Sequence, residues 1–418
     1  MNTVISLEIT PVLLGVVILC GGMLYLDKGL FRCKLRAARN KSRQYGWRFV
    51  VREVFDIIRS RLLKKPKSLP ASQRQDGIVR IAFYPTGGLG DYIISAKLLE
   101  ELLLLAPCQI DVFAERLPFG QAVYGSRKCV RVLPYEGFEL KRFGYDVALE
   151  VEHFVHVKNM DDYWVQEQSP ELYQRLAYIV SNWDSLYVDI GKQCWRERIR
   201  FERCRLLGLD RWTELRMGNA FAIADHQIYI PMDQAYQSHL QDFELHEKGY
   251  VTINYGADVM RIGERQLKLW DPEYLAKLVV QLKSQHTDLT IVQLGGAQAE
   301  RVMGVDVYIL GESLEFTKWV LRGSRLHIDC EGGLVHLATQ LGTRCVVLFG
   351  PTPVHMYGYE QNINICSLEC SNCMGLHEDW AYRCYKHAGE AACMKSITTD
   401  LVFDAIETEL SGKEAVYG

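Results

Sequence analysis

Apolar residues in this chain fall into two series of short continuous runs, separated by stretches with helical spacing. Ile78–Tyr84, Gln109–Ala114, Val130–Leu133 and Asp146–Val151 read as strands, and Ile93–Leu105 as an apolar helix after the first of them. Residues 160–215 change character. They are rich in Trp, Tyr, Arg and Glu, read as helix and loop, and would suit a polar, aromatic-lined acceptor wall. A second series begins at Tyr250–Tyr255 and continues through Thr290–Leu294, Val305–Leu310, Arg325–Asp329 and Cys345–Phe349. Its helices are expected at Pro272–Leu282, behind an Asp271–Pro272 start signal, at Leu314–Leu321 and at Asp400–Leu410. Two α/β halves, split within 225–248 and bounded at 77–240 and 241–418, would leave a ligand cleft between them.

Residues 1–76 stand apart. They carry 15 Lys/Arg against 5 Asp/Glu, a net of +10 within a chain whose formal charge is -3, so the remainder carries -13. An acidic body argues against nucleic acid as the partner. Ile9–Leu26 holds no charged residue and is followed by Lys28, Arg32, Lys34, Arg36, Arg39, Lys41 and Arg43. The expectation is a membrane anchor or membrane-lying helix facing anionic headgroups, with the rest of the chain in the cytoplasm at the inner membrane; the alternative is a buried accessory helix or an oligomer contact. Lys64–Gln75 reads as a basic linker into the first strand.

Four segments carry candidate chemistry. Asp329–Pro351 reads as strand, glycine turn, helix and strand, the way an open sheet presents backbone N–H groups to a phosphate-bearing ligand; Gly332, Gly333 and His336 sit in its loop and first helical turn. The plain reading is an ordinary crossover with a packed histidine. In Pro85–Asp91, PTGGLGD, Gly88 and Gly90 allow close approach to a ligand, and Asp91 is either a proton acceptor for a hydroxyl nucleophile or simply a helix cap. Arg261, Arg265 and Lys268 gather ahead of a helix, as cations for a nucleotide diphosphate or as a solvated charge run. Cys370-x2-Cys373-x10-Cys384-x8-Cys393, with Cys366 spare, has the spacing of a four-thiolate structural Fe or Zn site, against free thiols or disulfides. Thirteen cysteines otherwise show no secreted disulfide framework.

Taken in order, GLGD at 88–91, KLWDPEYLAKLV at 268–279, VQLGG at 292–296, EGGLVHLA at 331–338 and LFGPT at 348–352 resemble the heptosyltransferase family, glycosyltransferase family 9. The resemblance implies a GT-B fold of two Rossmann-like α/β domains and inverting transfer of a sugar, commonly heptose from ADP-heptose, to an acceptor hydroxyl. Asp91 matches the general base and Lys268 the donor-phosphate contact. Glu331, Gly332, Gly333 and His336 match the donor loop, where family members carry Asp-Ser/Thr-Gly in place of Glu331-Gly332-Gly333. The cysteine cluster resembles the finger of bacterial autotransporter heptosyltransferases, which hold one iron on four cysteines and form large oligomers. The implied partners are a nucleotide sugar, a glycan, lipid-linked saccharide or protein acceptor, and a second copy of the chain; no catalytic metal is expected. A nucleotide-sugar hydrolase or epimerase of the same fold, or a non-catalytic envelope-assembly protein, are the alternative functions.

Overall fold

The computed structural model describes residues 77–186, 194–256, 264–377, 379–386 and 391–411. The anchor or membrane-lying helix expected before residue 77 therefore lies outside the described residues, as does Arg261. Among the described residues no helix is long and apolar enough to cross a membrane.

The first half is built on β1 (Val79–Pro85), β2 (Cys108–Ala114), β3 (Val130–Pro134), β4 (Val147–Val151) and β5 (Val155–Met160), ordered β3-β2-β1-β4-β5. All pairs are parallel except β4 with β5, which are joined by a tight turn at 152–154. Helices α1 (Leu89–Leu105) and α2 (Leu117–Tyr124) follow β1 and β2. The second half contains β6 (Tyr250–Asn254), α3 (Pro272–Gln285), β7 (Thr290–Gly295), β8 (Val307–Leu310), α4 (Leu314–Gly323), β9 (His327–Cys330), α5 (Gly333–Gln340), β10 (Cys345–Phe349), β11 (Ile363–Cys366) and α6 (Thr399–Leu410). Its six strands run β11-β10-β9-β6-β7-β8, every pair parallel. Two Rossmann-like sheets with helices packed on them make the GT-B architecture.

The elements form where the apolar pattern demands. β10 is buried along its whole length, as a strand covered on both faces must be. Asp271 caps α3 by accepting the Glu273 N–H at 2.9 Å, and Pro272 occupies the first helical turn where a missing donor costs nothing. β5, β11 and α2 went unseen in the pattern. The half-exposed edge strands lack a continuous apolar run, and α2 is only eight residues long.

One apolar cluster crosses between the halves, taking in Ile81, Leu98 and Val112 of the first and Val292, Val320, Val335 and Val347 of the second. The closest approach is between α1 and α5. A Cβ on Gly333 would stand 2.8 Å from Leu89 Cβ, and one on Gly90 would stand 2.6 Å from His336 Cδ2. Buried Lys318 adds a polar tie, donating from α4 to the Ala122 carbonyl at the other side of the junction at 3.1 Å. In each sheet the order reverses once, between β1 and β4 and between β6 and β9. Ligands of open α/β sheets bind at the carboxyl ends of the strands flanking such a reversal. Those ends lead into Thr86–Asp91 and Glu152 in one half, and into Tyr255 and Glu331–Gly333 in the other.

Gly333→Ala is expected to destabilise the fold by about 1–3 kcal/mol through overpacking against Leu89. Gly296→Ala, whose Cβ would meet nothing within 4 Å, should be close to neutral. Denaturant midpoints of the two variants check this, and equal midpoints would show the α1–α5 contact to be loose.

Candidate functional site

Asp91 sits at the third position of α1. Its Oδ2 accepts the Gly88 N–H at 2.9 Å, closing the first turn, and its Oδ1 accepts from Arg211 Nη2 at 2.8 Å. Gly87 has φ of +95°, and a Cβ there would lie 2.3 Å from Asp91 Oδ2, so this position needs glycine for both backbone and space. The same Arg211 Nη2 donates to the Glu152 carbonyl at 2.8 Å in the β4–β5 turn. The Thr86 N–H, in the loop after β1, reaches the Val151 carbonyl at 2.9 Å. Together these bonds fix the base of the first sheet's reversal.

Across from it, the loop after β9 brings Glu331, Gly332 and Gly333 to the start of α5. Lys268 Nζ donates to the Glu331 carbonyl at 3.1 Å and lies 3.8 Å from its carboxylate Oε2. His336, almost fully buried, shares a 2.6 Å hydrogen bond with the Tyr359 hydroxyl through Nδ1, and its Nε2 is 3.9 Å from Glu331 Oε1. Burial pulls the His336 imidazole below its ordinary range, with Glu331 and Asp91 opposing and Arg211 and Lys268 reinforcing that shift. The structure thus gathers Gly88, Gly90, Asp91, Lys268, Glu331, Gly332, Gly333 and His336 around one junction. The guanidinium of Arg265 donates to the Trp270 carbonyl at 2.5 Å and lies over the ring of Tyr255, just past the end of β6.

Sequence reasoning missed Gly87, Glu152, Arg200, Arg211 and Tyr357. Arg200 is 3.3 Å from Glu214, beside His153. Tyr357 is half-buried, with Arg200, Glu197, Arg211 and Glu331 as its charged neighbours, and desolvation raises its hydroxyl well above the ordinary range. The signal for the arginines was the charged, aromatic composition of 160–215, which marked a wall without marking residues.

The metal expectation is corrected. Among the described residues no group of three or more His, Cys, Asp or Glu is placed to hold a metal ion, so Cys370, Cys373, Cys384 and Cys393 do not make the Fe or Zn site that their spacing suggested. None of them is in a disulfide. The thiols are neighbours rather than a ligand set. Burial first, and then the nearby thiols, push Cys393 up to about 12, and Cys373 is likewise raised. Cys393 packs with Met394 and Ile397 in the apolar layer behind the second sheet, and protonated buried thiols act as small hydrophobes.

Two Rossmann-like sheets with glycine loops facing each other fix the fold, and the sequence narrows it. Residues 210–385 match the model of glycosyltransferase family 9 (heptosyltransferase). At family level this supports a nucleotide-sugar transferase. No curated protein sequence matches the chain. Among solved structures, the chain is similar to ADP-heptose lipopolysaccharide heptosyltransferase II of E. coli, at 17% identity and a TM-score of 0.50, covering 80% of this chain and 100% of that one. It is also similar to a bacterial iron-containing dodecameric glycosyltransferase from enterotoxigenic E. coli, at 14% identity and TM-score 0.50 over 81% of this chain and 80% of that one. A family 9 glycosyltransferase from Veillonella parvula aligns at 16% identity and TM-score 0.50 over 80% and 98%. At these identities the likeness concerns the fold. The family 9 match spans Arg211, Lys268 and the 331–336 loop, and begins after Asp91 and Glu152.

Glu152 supplies a pH dependence. Burial, and next the charge of Asp91, push its carboxyl from the ordinary 4.5 up to about 7, against the pull of Arg211 and Arg200. The folded chain therefore keeps a proton that the unfolded chain releases, and stability should fall as pH rises from about 4.5 through about 7. Glu152→Gln is expected to flatten that decline, so its melting temperature should gain on wild type between pH 5 and pH 8. Parallel melting curves across that range would exclude a raised carboxyl at this position.

Proposed function

We propose that this chain is an inverting glycosyltransferase that moves a heptose from ADP-heptose to a hydroxyl of an envelope glycan, lipid-linked saccharide or protein, in the cytoplasm at the inner membrane. The observation that carries this reading is the direct packing of the Gly88–Asp91 loop on the Gly332–His336 loop, with a carboxylate on one side and a lysine on the other. The family 9 match across the second of these loops supports the donor class.

In this reaction the acceptor oxygen attacks the anomeric carbon as the bond to the diphosphate oxygen breaks. The hydroxyl proton passes to Asp91, whose carboxylate is oriented by Gly88 and Arg211. Charge builds on the departing diphosphate. Lys268 and the backbone N–H groups opening α5 would receive it, the lysine exchanging its Glu331 carbonyl for phosphate oxygen. Glu331 would then be left to hydrogen-bond a ribose or sugar hydroxyl.

Purified protein incubated with a panel of nucleotide sugars and hydroxyl acceptors should release nucleotide only when both partners are present, with a matching gain in acceptor mass. Asp91→Asn should cut turnover by about 10²–10⁴-fold while retaining donor binding. Lys268→Ala should weaken donor binding and turnover together. Release without acceptor would favour a hydrolase, and full activity of Asp91→Asn would remove Asp91 from the chemistry.

A further inference from the structure

Arg211 reaches Asp91 from a segment 120 residues further along the chain. It is fully buried, and its Nη2 bridges two acceptors, Asp91 Oδ1 and the Glu152 carbonyl, each at 2.8 Å. Its backbone is held by the opposite half: the Arg211 N–H donates to the Met356 carbonyl at 3.1 Å, in the turn that follows β10. The next residue continues the link. Trp212 packs edge-on to Tyr359 at 6.2 Å, and Tyr359 is the hydrogen-bond partner of His336.

We propose that Arg211 is a positioning residue for Asp91, fixing the carboxylate rotamer from a backbone seat on the donor-side half. The inference rests on the glycosyltransferase reading for its kinetic consequence, and on geometry alone for its structural one. Three features distinguish this arrangement from an ordinary buried ion pair. The guanidinium spans the two strand ends that flank the first sheet's reversal, so it sets Asp91 relative to the sheet as well as to its helix. One nitrogen, Nη2, holds both acceptors, while Nε and Nη1 of the same planar group are buried with no hydrogen-bond partner among the described residues, so Asp91 and the Glu152 carbonyl are fixed against a single donor. Its main chain belongs to a segment whose contacts run to Met356 and Tyr359, so displacement of the donor loop would be transmitted to the base. The neighbouring charges do not offer a substitute. Glu152, Glu197 and Glu214 are carboxylates, and Arg200 is engaged with Glu214 at 3.3 Å and Glu197 at 3.8 Å.

The test compares Arg211→Gln, Arg211→Lys, Asp91→Asn and the Asp91→Asn/Arg211→Gln double variant in the full chain. Two readouts are taken: amide hydrogen exchange across residues 86–92, which needs no substrate, and kcat and KM over a pH series. Exchange over 86–92 should rise in Arg211→Gln and fall part-way back in Arg211→Lys. Turnover in Arg211→Gln should drop by roughly 10²-fold, the cost of an ångström-scale misplacement, with donor KM within about threefold of wild type. Arg211→Lys should recover about tenfold of that loss, and the double variant should lose little beyond Asp91→Asn alone, because both changes act through one group. Unchanged exchange in a folded Arg211→Gln or Arg211→Lys protein would overturn the proposal, as would additive losses in the double variant. If wild type transfers nothing, the glycosyltransferase reading fails by itself, and the exchange measurement still decides for or against Arg211. If Arg211→Gln does not fold, Arg211→Lys carries the same two tests.

Discussion

The structure turns on two glycines at one crossing. Gly90 leaves room for the His336 ring and Gly333 leaves room for Leu89, so the first turns of α1 and α5 come closer than side chains would permit. Each of those turns is also the end of a strand beside a sheet reversal. Helix approach and ligand-loop placement are therefore one constraint. Asp91 and Glu331 act on the same imidazole because their helices start at the same contact. The apolar cluster running on from this crossing into both halves makes the contact a part of the core.

Around that crossing the chain buries charge, which is costly unless every charge finds a partner. Arg211 is met by Asp91 and a carbonyl through Nη2 alone, Lys318 by Glu315 at 2.7 Å and the Ala122 carbonyl, and Arg200 by Glu214 through Nη1. Nε and Nη1 of Arg211 and Nη2 of Arg200 have no hydrogen-bond partner among the described residues. Several of these ties join sequence-distant segments, and the Lys318 bond joins the two halves. Removing one partner would strand the other in a dry site, so such ties specify a relative placement more than they add net stability. A cleft between halves held in this way has less freedom to open than two sheets joined by a linker alone.

Much of this was legible in the sequence because buried parallel strands write themselves as continuous apolar runs, and nine of the eleven strands among the described residues were read that way. The two that escaped lie at sheet edges, where half the residues face water and the run is broken. The glycine motifs and Lys268 were legible as local patterns. Arg211 and Glu152 were not, since their partners lie 120 residues away and at the tip of a hairpin whose second strand was itself unseen. The cysteines show the opposite failure. A regular spacing can be produced by thiols that pack against an apolar layer, and spacing says nothing about whether the sulfur atoms converge.

The departure at Glu331-Gly332-Gly333 takes on a definite meaning once the backbone is known. Gly333 is required by space, because any Cβ would strike Leu89. Gly332 is not. Its φ of 178° is extended backbone open to any residue, and a Cβ there would meet only the Cys330 carbonyl at 3.6 Å, an ordinary contact. The serine or threonine usual in the family would fit without disturbing α1 or α5. The glycine at 332 is therefore not set by the fold, which makes no demand at this position. Beside it, Glu331 reaches Lys268 and His336 with both carboxylate oxygens. The longer carboxylate and the missing hydroxyl occupy adjoining positions of one loop, beside a glycine that the packing against Leu89 requires.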